Sequence, residues 1–158
     1  MTTDSRLLLV AAIALGLLAL ALHLRAHAHT AAAIVADPVR TPGVLNPAVT
    51  QANIRATICT RGWTRTIRPP TEYTNALKRK QMRIYDEHGP PSAYQEDHLV
   101  SLELGGDPSD PRNLWPEPYP RAAAVDQIEN DLNARVCSGD LSLEEAQMKE
   151  AELKHTQG

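Results

Sequence analysis

The chain has no phenylalanine, and its 158 residues include only two Trp and four Tyr. An aromatic-rich core is therefore excluded, and burial must rest on Leu, Ile, Val and Ala. Cysteine is scarce as well: Cys59 and Cys137 are the only two. Two thiols cannot supply a structural zinc site of the usual four-ligand kind. Internal repeats and low-complexity tracts are missing from the part of the chain that reads as globular. Acids are nearly missing from one stretch: Gln51 to Arg83 holds eight basic residues and a single acid, Glu72, a net of +7. From Ile84 to Gly158 the balance reverses, with five basic and sixteen acidic residues, a net of −11. The overall charge of −3 hides this asymmetry. One half of the domain is basic enough to hold a polyanion, and such asymmetry points to nucleic-acid contact. The alternative is two oppositely charged faces, packed on each other or solvated.

What is abundant sits first at the N-terminus. Leu7 to Leu22 is an unbroken run of apolar residues and Gly, with Arg6 before it and Ala26-His27-Ala28 after it. That is the layout of a secretory signal peptide with a small-x-small cleavage site. The alternative is an uncleaved membrane anchor, although such a run as a helix spans about 24 Å against roughly 30 Å of hydrocarbon. Residues 1–28 are therefore read as signal peptide or anchor, and residues 29–48, with Pro38, Pro42 and Pro47, as a linker. Residues 49–158 have the length of one small domain. The expected location is exported: periplasmic, secreted, or anchored to the membrane by the N-terminal segment. An oxidising compartment favours a Cys59–Cys137 disulfide over two buried reduced thiols. By loop length it would be worth about 4 kcal/mol.

Within the domain, Thr50 is placed to cap a short helix through Ile54 to Ile58, and Trp63 to Arg68 alternates weakly, as a strand would. Thr71 caps a helix running to Tyr85, with Lys78, Arg79 and Arg83 largely off its apolar face. Tyr94 to Leu104 reads as a strand, Gly105-Gly106-Asp107-Pro108 as a turn, and Asn113-Leu114-Trp115 as a returning strand. Val125, Ile128, Leu132 and Val136 mark an amphipathic helix. Ser142-Leu143-Glu144-Glu145 is a capping box opening a last helix. On that helix Glu144 to Glu152 reads as a solvated face, and His155 as a solvated tail residue. Trp63 and Trp115 read as packing residues rather than base-stacking platforms. His88 reads as a helix C-terminal residue.

The order strand, Gly-rich turn, strand, helix carries one chemical pattern. Glu96-Asp97-His98-Leu99 is followed by Gly105-Gly106 and then by Arg112-Asn113-Leu114-Trp115-Pro116. This resembles the HNH, or ββα-metal, endonuclease motif. Wider echoes of a bacterial, exported HNH-like family are Thr57-Ile58-Cys59, Gly62-Trp63-Thr64, Arg68-Pro69, Glu129-Asn130 and Val136-Cys137. The resemblance spans roughly Val49 to Ala146. It implies an α+β fold with a small ββα-metal core, flanking helices and the N-terminal hydrophobic leader. It also implies a metal-dependent endonuclease acting on DNA, or else on RNA, with Mg²⁺ or Mn²⁺ as cofactor.

The residue types suit that chemistry. Phosphodiester hydrolysis needs a base for water and a cation for the charge on phosphate and leaving oxygen. His98 titrates near neutral pH and is the expected base. Asp97 is a hard oxygen ligand. Asn113, by the resemblance, steadies the loop and orients the histidine. Adjacent residues of a regular strand face opposite ways, so Asp97 and His98 converge only at a strand end or bulge. Two positions depart from the family pattern. Ala122 and Ala123 stand where a third metal ligand is expected, and Val125 stands where a lysine is often found. Asp126 is the expected substitute ligand, with Glu129 and Asn130 as further candidates. Lys78, Arg79, Lys80 and Arg83 are expected near the Asp97–His98 cleft, against phosphates. The alternative function is a catalytically degenerate domain that binds nucleic acid or an envelope partner.

Overall fold

A computed structural model describes residues 34–158; the proposed leader lies outside the described residues. The fold is α+β. Its helices are α1 (Trp63–Ile67), α2 (Thr71–Ile84), α3 (Arg121–Ser138) and α4 (Leu143–Thr156), and its sheet pairs β1 (Tyr94–His98) with β2 (Leu114–Pro118). Among these residues no helix is long and apolar enough to cross a membrane.

The two strands run antiparallel, from Tyr94 opposite Pro118 to His98 opposite Leu114. Each is an edge strand, which is why β2 tolerates Pro116 and Pro118. Strict alternation puts Glu96 and Asp97 on opposite faces. Helix α2 packs on the sheet with Leu77, Gln81 and Met82 buried, and the Lys78 Nζ donates to the Tyr94 carbonyl at 2.9 Å. Helix α3 covers the Asp97 side with Ala122, Val125, Leu132 and Val136 buried. Ile128, expected on that face, is half-exposed at 37%.

Aliphatic side chains do fill the core. Val49, Ile54, Ile58, Val100, Leu104 and Leu132 cluster with residues of α3 and α4, and Trp63 lies partly buried at their margin. Trp115 packs with Leu99 and Ala36 in a second cluster. The disulfide forms between Cys59 and Cys137, tying the segment before α1 to the end of α3. A disulfide is compatible with an oxidising, exported location.

Four sequence expectations change. Trp63 to Arg68 is a short helix rather than a strand, entered through Gly62 at φ 84° and ended by the extended Arg68 before Pro69. The strand expected to reach Leu104 stops at His98. Beyond it, backbone groups that would have continued the ladder are taken by side chains: Asn113 binds both the N–H and the carbonyl of Val100, and Glu150 binds the N–H of Ser101. Residues 34–48, read as linker, pack into the domain. The Ala36 N–H donates to the Lys154 carbonyl, the Asn46 N–H donates to Gly105, and Thr41 is buried. The compact unit accordingly begins at Ile34. His155 is not a solvated tail residue either, since its Nε2 donates to the Thr41 carbonyl at 2.9 Å.

The disulfide closes a separation of 78 residues. Reduction should lower unfolding free energy by about 4 kcal/mol. Urea unfolding with and without dithiothreitol measures this, and thiol counting on the unreduced, denatured chain should find none free.

Candidate functional site

Asp97 and His98 end β1, and both border one cleft of about 390 Å³. Its other charged and polar walls come from Arg68 before α2, Gln95 on β1, Glu103 in the loop after it, and Asp126 and Glu129 on α3. The required irregularity is present: the strand ends at His98 and the chain bends at Leu99-Val100.

The loop between the strands is built around Asn113, which is fully buried. Its Oδ1 accepts from the Val100 N–H at 3.0 Å, and its Nδ2 donates to the Val100 and Asp107 carbonyls at 3.0 and 2.9 Å. Gly106 makes this possible. A Cβ there would lie 1.8 Å from the Val100 carbonyl oxygen and 2.6 Å from the Asn113 amide nitrogen. The same loop presents the Pro108 carbonyl to His98 Nε2 at 3.1 Å. A carbonyl only accepts, so Nε2 carries the hydrogen, and in the neutral ring Nδ1 is the basic nitrogen. Burial pushes the His98 pKa down, against the pull of Asp97. Burial thus favours the neutral imidazole.

On the acidic wall, Asp97, Asp126 and Glu129 bring one carboxylate oxygen each within 4.8 Å of one another. Gln95 spans two of them, donating to Asp97 Oδ1 at 3.2 Å and reaching Asp126 Oδ1 at 3.4 Å. Carboxylate oxygens are the donor type that Mg²⁺ and Mn²⁺ take, so the residues fit a hard cation by chemistry. Ala122 is buried in α3 packing and Ala123 is exposed; neither offers a ligand. Asn130 also borders the cleft, with its side chain turned back to the Asp126 carbonyl.

Sequence reasoning missed the centre of this wall. Lys154 of α4 is fully buried. Its ammonium donates to Asp97 Oδ2 at 2.7 Å, to Glu129 Oε1 at 2.6 Å and to the His98 carbonyl, and it lies 3.4 Å from Glu150. Burial works against its charge, but Asp97, Glu129 and Glu150 outweigh that and raise its pKa. In return, and despite burial, Lys154 holds the Asp97 carboxyl down to about 2. The signal was present in the sequence. Leu143, Ala146, Glu150 and Lys154 fall at i, i+3, i+7 and i+11, all buried, so the two charges occupy core positions of α4. The expected solvated face is thus only part of that helix. Val125 is buried, and the amine beside Asp97 comes from α4.

None of Lys78, Arg79, Lys80 and Arg83 lines this cleft. The burial of Leu77, Gln81 and Met82 fixes α2 on the Glu96 face of the sheet. Lys80 borders a different groove with Arg40 and Arg112, and Arg83 turns back to the Arg79 carbonyl. The basic residue at the cleft is Arg68, which is exposed and has no carboxylate within 4.0 Å among the described residues.

Comparison with protein-family models, with curated proteins and with solved structures returns no match.

Two measurements test the site's construction. Asn113→Ala leaves three backbone partners of a buried loop unpaired and should cost about 3 kcal/mol or more in chemical denaturation. Glu117 lies buried, and burial, then a hydrogen bond to Asp97 and the Asp97 charge, push it up to about 9. The folded state therefore holds a proton that the unfolded state releases above about 4.5. Stability falls by about 1.4 kcal/mol per pH unit for this group as pH rises toward 9. Glu117→Gln should remove that share of the decline, stabilising the protein more at pH 8 than at pH 5.

Proposed function

We propose that this protein is an exported, metal-dependent endonuclease of the HNH type that hydrolyses phosphodiester bonds of DNA, with RNA as the other candidate substrate. The observation that carries the reading is His98. Its Nε2 is committed to the Pro108 carbonyl, burial favours its neutral form, and it shares a cleft with four carboxylates and with Arg68, which forms no ion pair among the described residues. In this reading His98 Nδ1 takes a proton from water as the water oxygen bonds to phosphorus and the bond to the leaving oxygen breaks. Arg68 meets the phosphate. Asp97, Asp126 and Glu129 hold Mg²⁺ or Mn²⁺. Such an ion, when bound, supplies positive charge to the phosphate and the leaving oxygen. Asn113 fixes the loop carbonyl that sets the histidine tautomer, the role the resemblance implies for it. Residues 1–28 direct export, as a cleaved signal peptide leaving a periplasmic or secreted protein, or as an anchor.

One observation favours a second reading. The Lys154 ammonium already satisfies Asp97 and Glu129, and Ala122 and Ala123 add no ligand. A domain with this site retired from catalysis would bind nucleic acid or an envelope partner without cutting.

Plasmid nicking with Mg²⁺, Mn²⁺ and EDTA separates the two. Under the nuclease reading His98→Ala should slow cleavage by roughly 10²- to 10⁴-fold with the fold intact. Asp126→Ala should demand more metal. Arg68→Ala should weaken DNA binding and lower its salt slope by about one phosphate contact. No metal-dependent cleavage of single-stranded DNA, double-stranded DNA or RNA by the wild type would defeat the nuclease reading. Salt-dependent DNA binding by such an inactive protein would then support the binding domain.

A further inference from the structure

We infer that Lys154 is a tethered cation that competes with a divalent ion for the carboxylates of the cleft, and so sets the metal affinity of this protein. The inference rests on the metal-site reading of Asp97, Asp126 and Glu129.

Three observations lead there. First, the ammonium is placed on the same groups that a metal would use. It donates to Asp97 at 2.7 Å and to Glu129 at 2.6 Å, which are two of the three carboxylates in the cluster. A divalent ion bound to these residues needs oxygen lone pairs directed at it from about 2.0–2.1 Å, and the ammonium hydrogens already take two of them. Second, the amine has nowhere else to go. Lys154 is fully enclosed, and its third hydrogen is spent on the His98 carbonyl. Its helix is held by the Ser142–Glu145 capping box, by Glu150 on the Ser101 N–H, and by the Ala36 N–H on its own carbonyl. Third, Asp126 is the one member of the cluster that Lys154 does not contact, being partly exposed and reached only by Gln95. An ion entering the cleft thus meets one carboxylate without an ammonium on it and two that must be taken from a fixed positive charge. Like charges at contact distance repel strongly in a partly buried site.

The test is calorimetric titration of the full chain with MnCl₂. Lys154→Met keeps an unbranched side chain one atom shorter and removes the charge. Glu150→Gln/Lys154→Met also removes one buried negative charge, so the core stays balanced. Both variants should bind Mn²⁺ roughly tenfold or more tightly than the wild type, a modest effect for charges so close. Adding Asp126→Asn to the double variant should abolish the gain. Should Lys154→Met alone be unfolded without metal, recovery of its circular dichroism on adding Mn²⁺ supports the competition, and the double variant supplies the affinity. Unchanged or weaker binding in the folded variants, with Asp126→Asn still removing it, overturns the role of Lys154 and leaves the metal reading standing. Absence of Mn²⁺ binding by wild type and variants alike overturns both.

Discussion

The buried ammonium of Lys154 is the contact on which the rest of the arrangement depends. It joins the last helix to the end of β1 through Asp97 and the His98 carbonyl, and to α3 through Glu129. An unpaired charge in that position would be prohibitively costly, and so would the carboxylates without it. Each side makes the other tolerable only when α3, α4 and the strand end have come together. A hydrophobic trio in the same place would pack as well, so stability alone does not account for charged groups here. Their presence concentrates acidity at one point, at the floor of a cleft that also holds His98.

Around that point the chain is organised to present groups rather than to extend a sheet. Two five-residue strands are a small platform. The residues that follow β1 leave the ladder because Asn113 and Glu150 bind their backbone, and Gly106 lets the loop close to a distance that no side chain would permit. The loop then returns a carbonyl to the histidine, fixing which ring nitrogen is basic. The orientation of the His98 ring is therefore a consequence of loop closure, and both are set by buried polar contacts with little apolar surface of their own. The disulfide works at a distance from this, holding the segment before α1 to α3 and so keeping the helix that carries Asp126 and Glu129 in place.

The charge pattern acquires a different meaning in three dimensions. The basic stretch is not a wall of the acidic cleft. Half of its basic residues ride on α2, on the far side of the sheet, and one exposed arginine, Arg68, reaches the cleft from the turn before that helix. Many of the acids are not solvated. Glu96, Glu117, Glu129 and Glu150 sit at least partly buried around the strands and α4, and burial raises the pKa of each. With Glu96 pushed up to about 8 and Glu117 to about 9, this half is less negative at neutral pH than its composition suggests.

Much of the architecture was legible in the sequence because it rests on local rules. The amphipathic spacing of α3, the Ser142 capping box, the Gly105-Gly106 turn and the pairing of two lone cysteines each depend on residues near in sequence or on simple elimination. Convergence of the adjacent Asp97 and His98 on one cleft required a strand end or a bulge, and the strand ends at His98. What escaped was decided by partners far along the chain. Trp63 to Arg68 had weak strand-like alternation, yet the chain enters it through Gly62 in the left-handed region and forms a short helix ended before Pro69. Residues 34–48 had the composition of a linker, yet found backbone partners on the interstrand loop and on α4. Lys154 stood in a pattern that assigned it to the core while its charge assigned it to solvent, and only the convergence of Asp97, Glu129 and the His98 carbonyl resolved the conflict. Local propensity and spacing fix which elements form. The burial of a charge has no local rule, because its cost is cancelled only by groups that the fold brings from elsewhere.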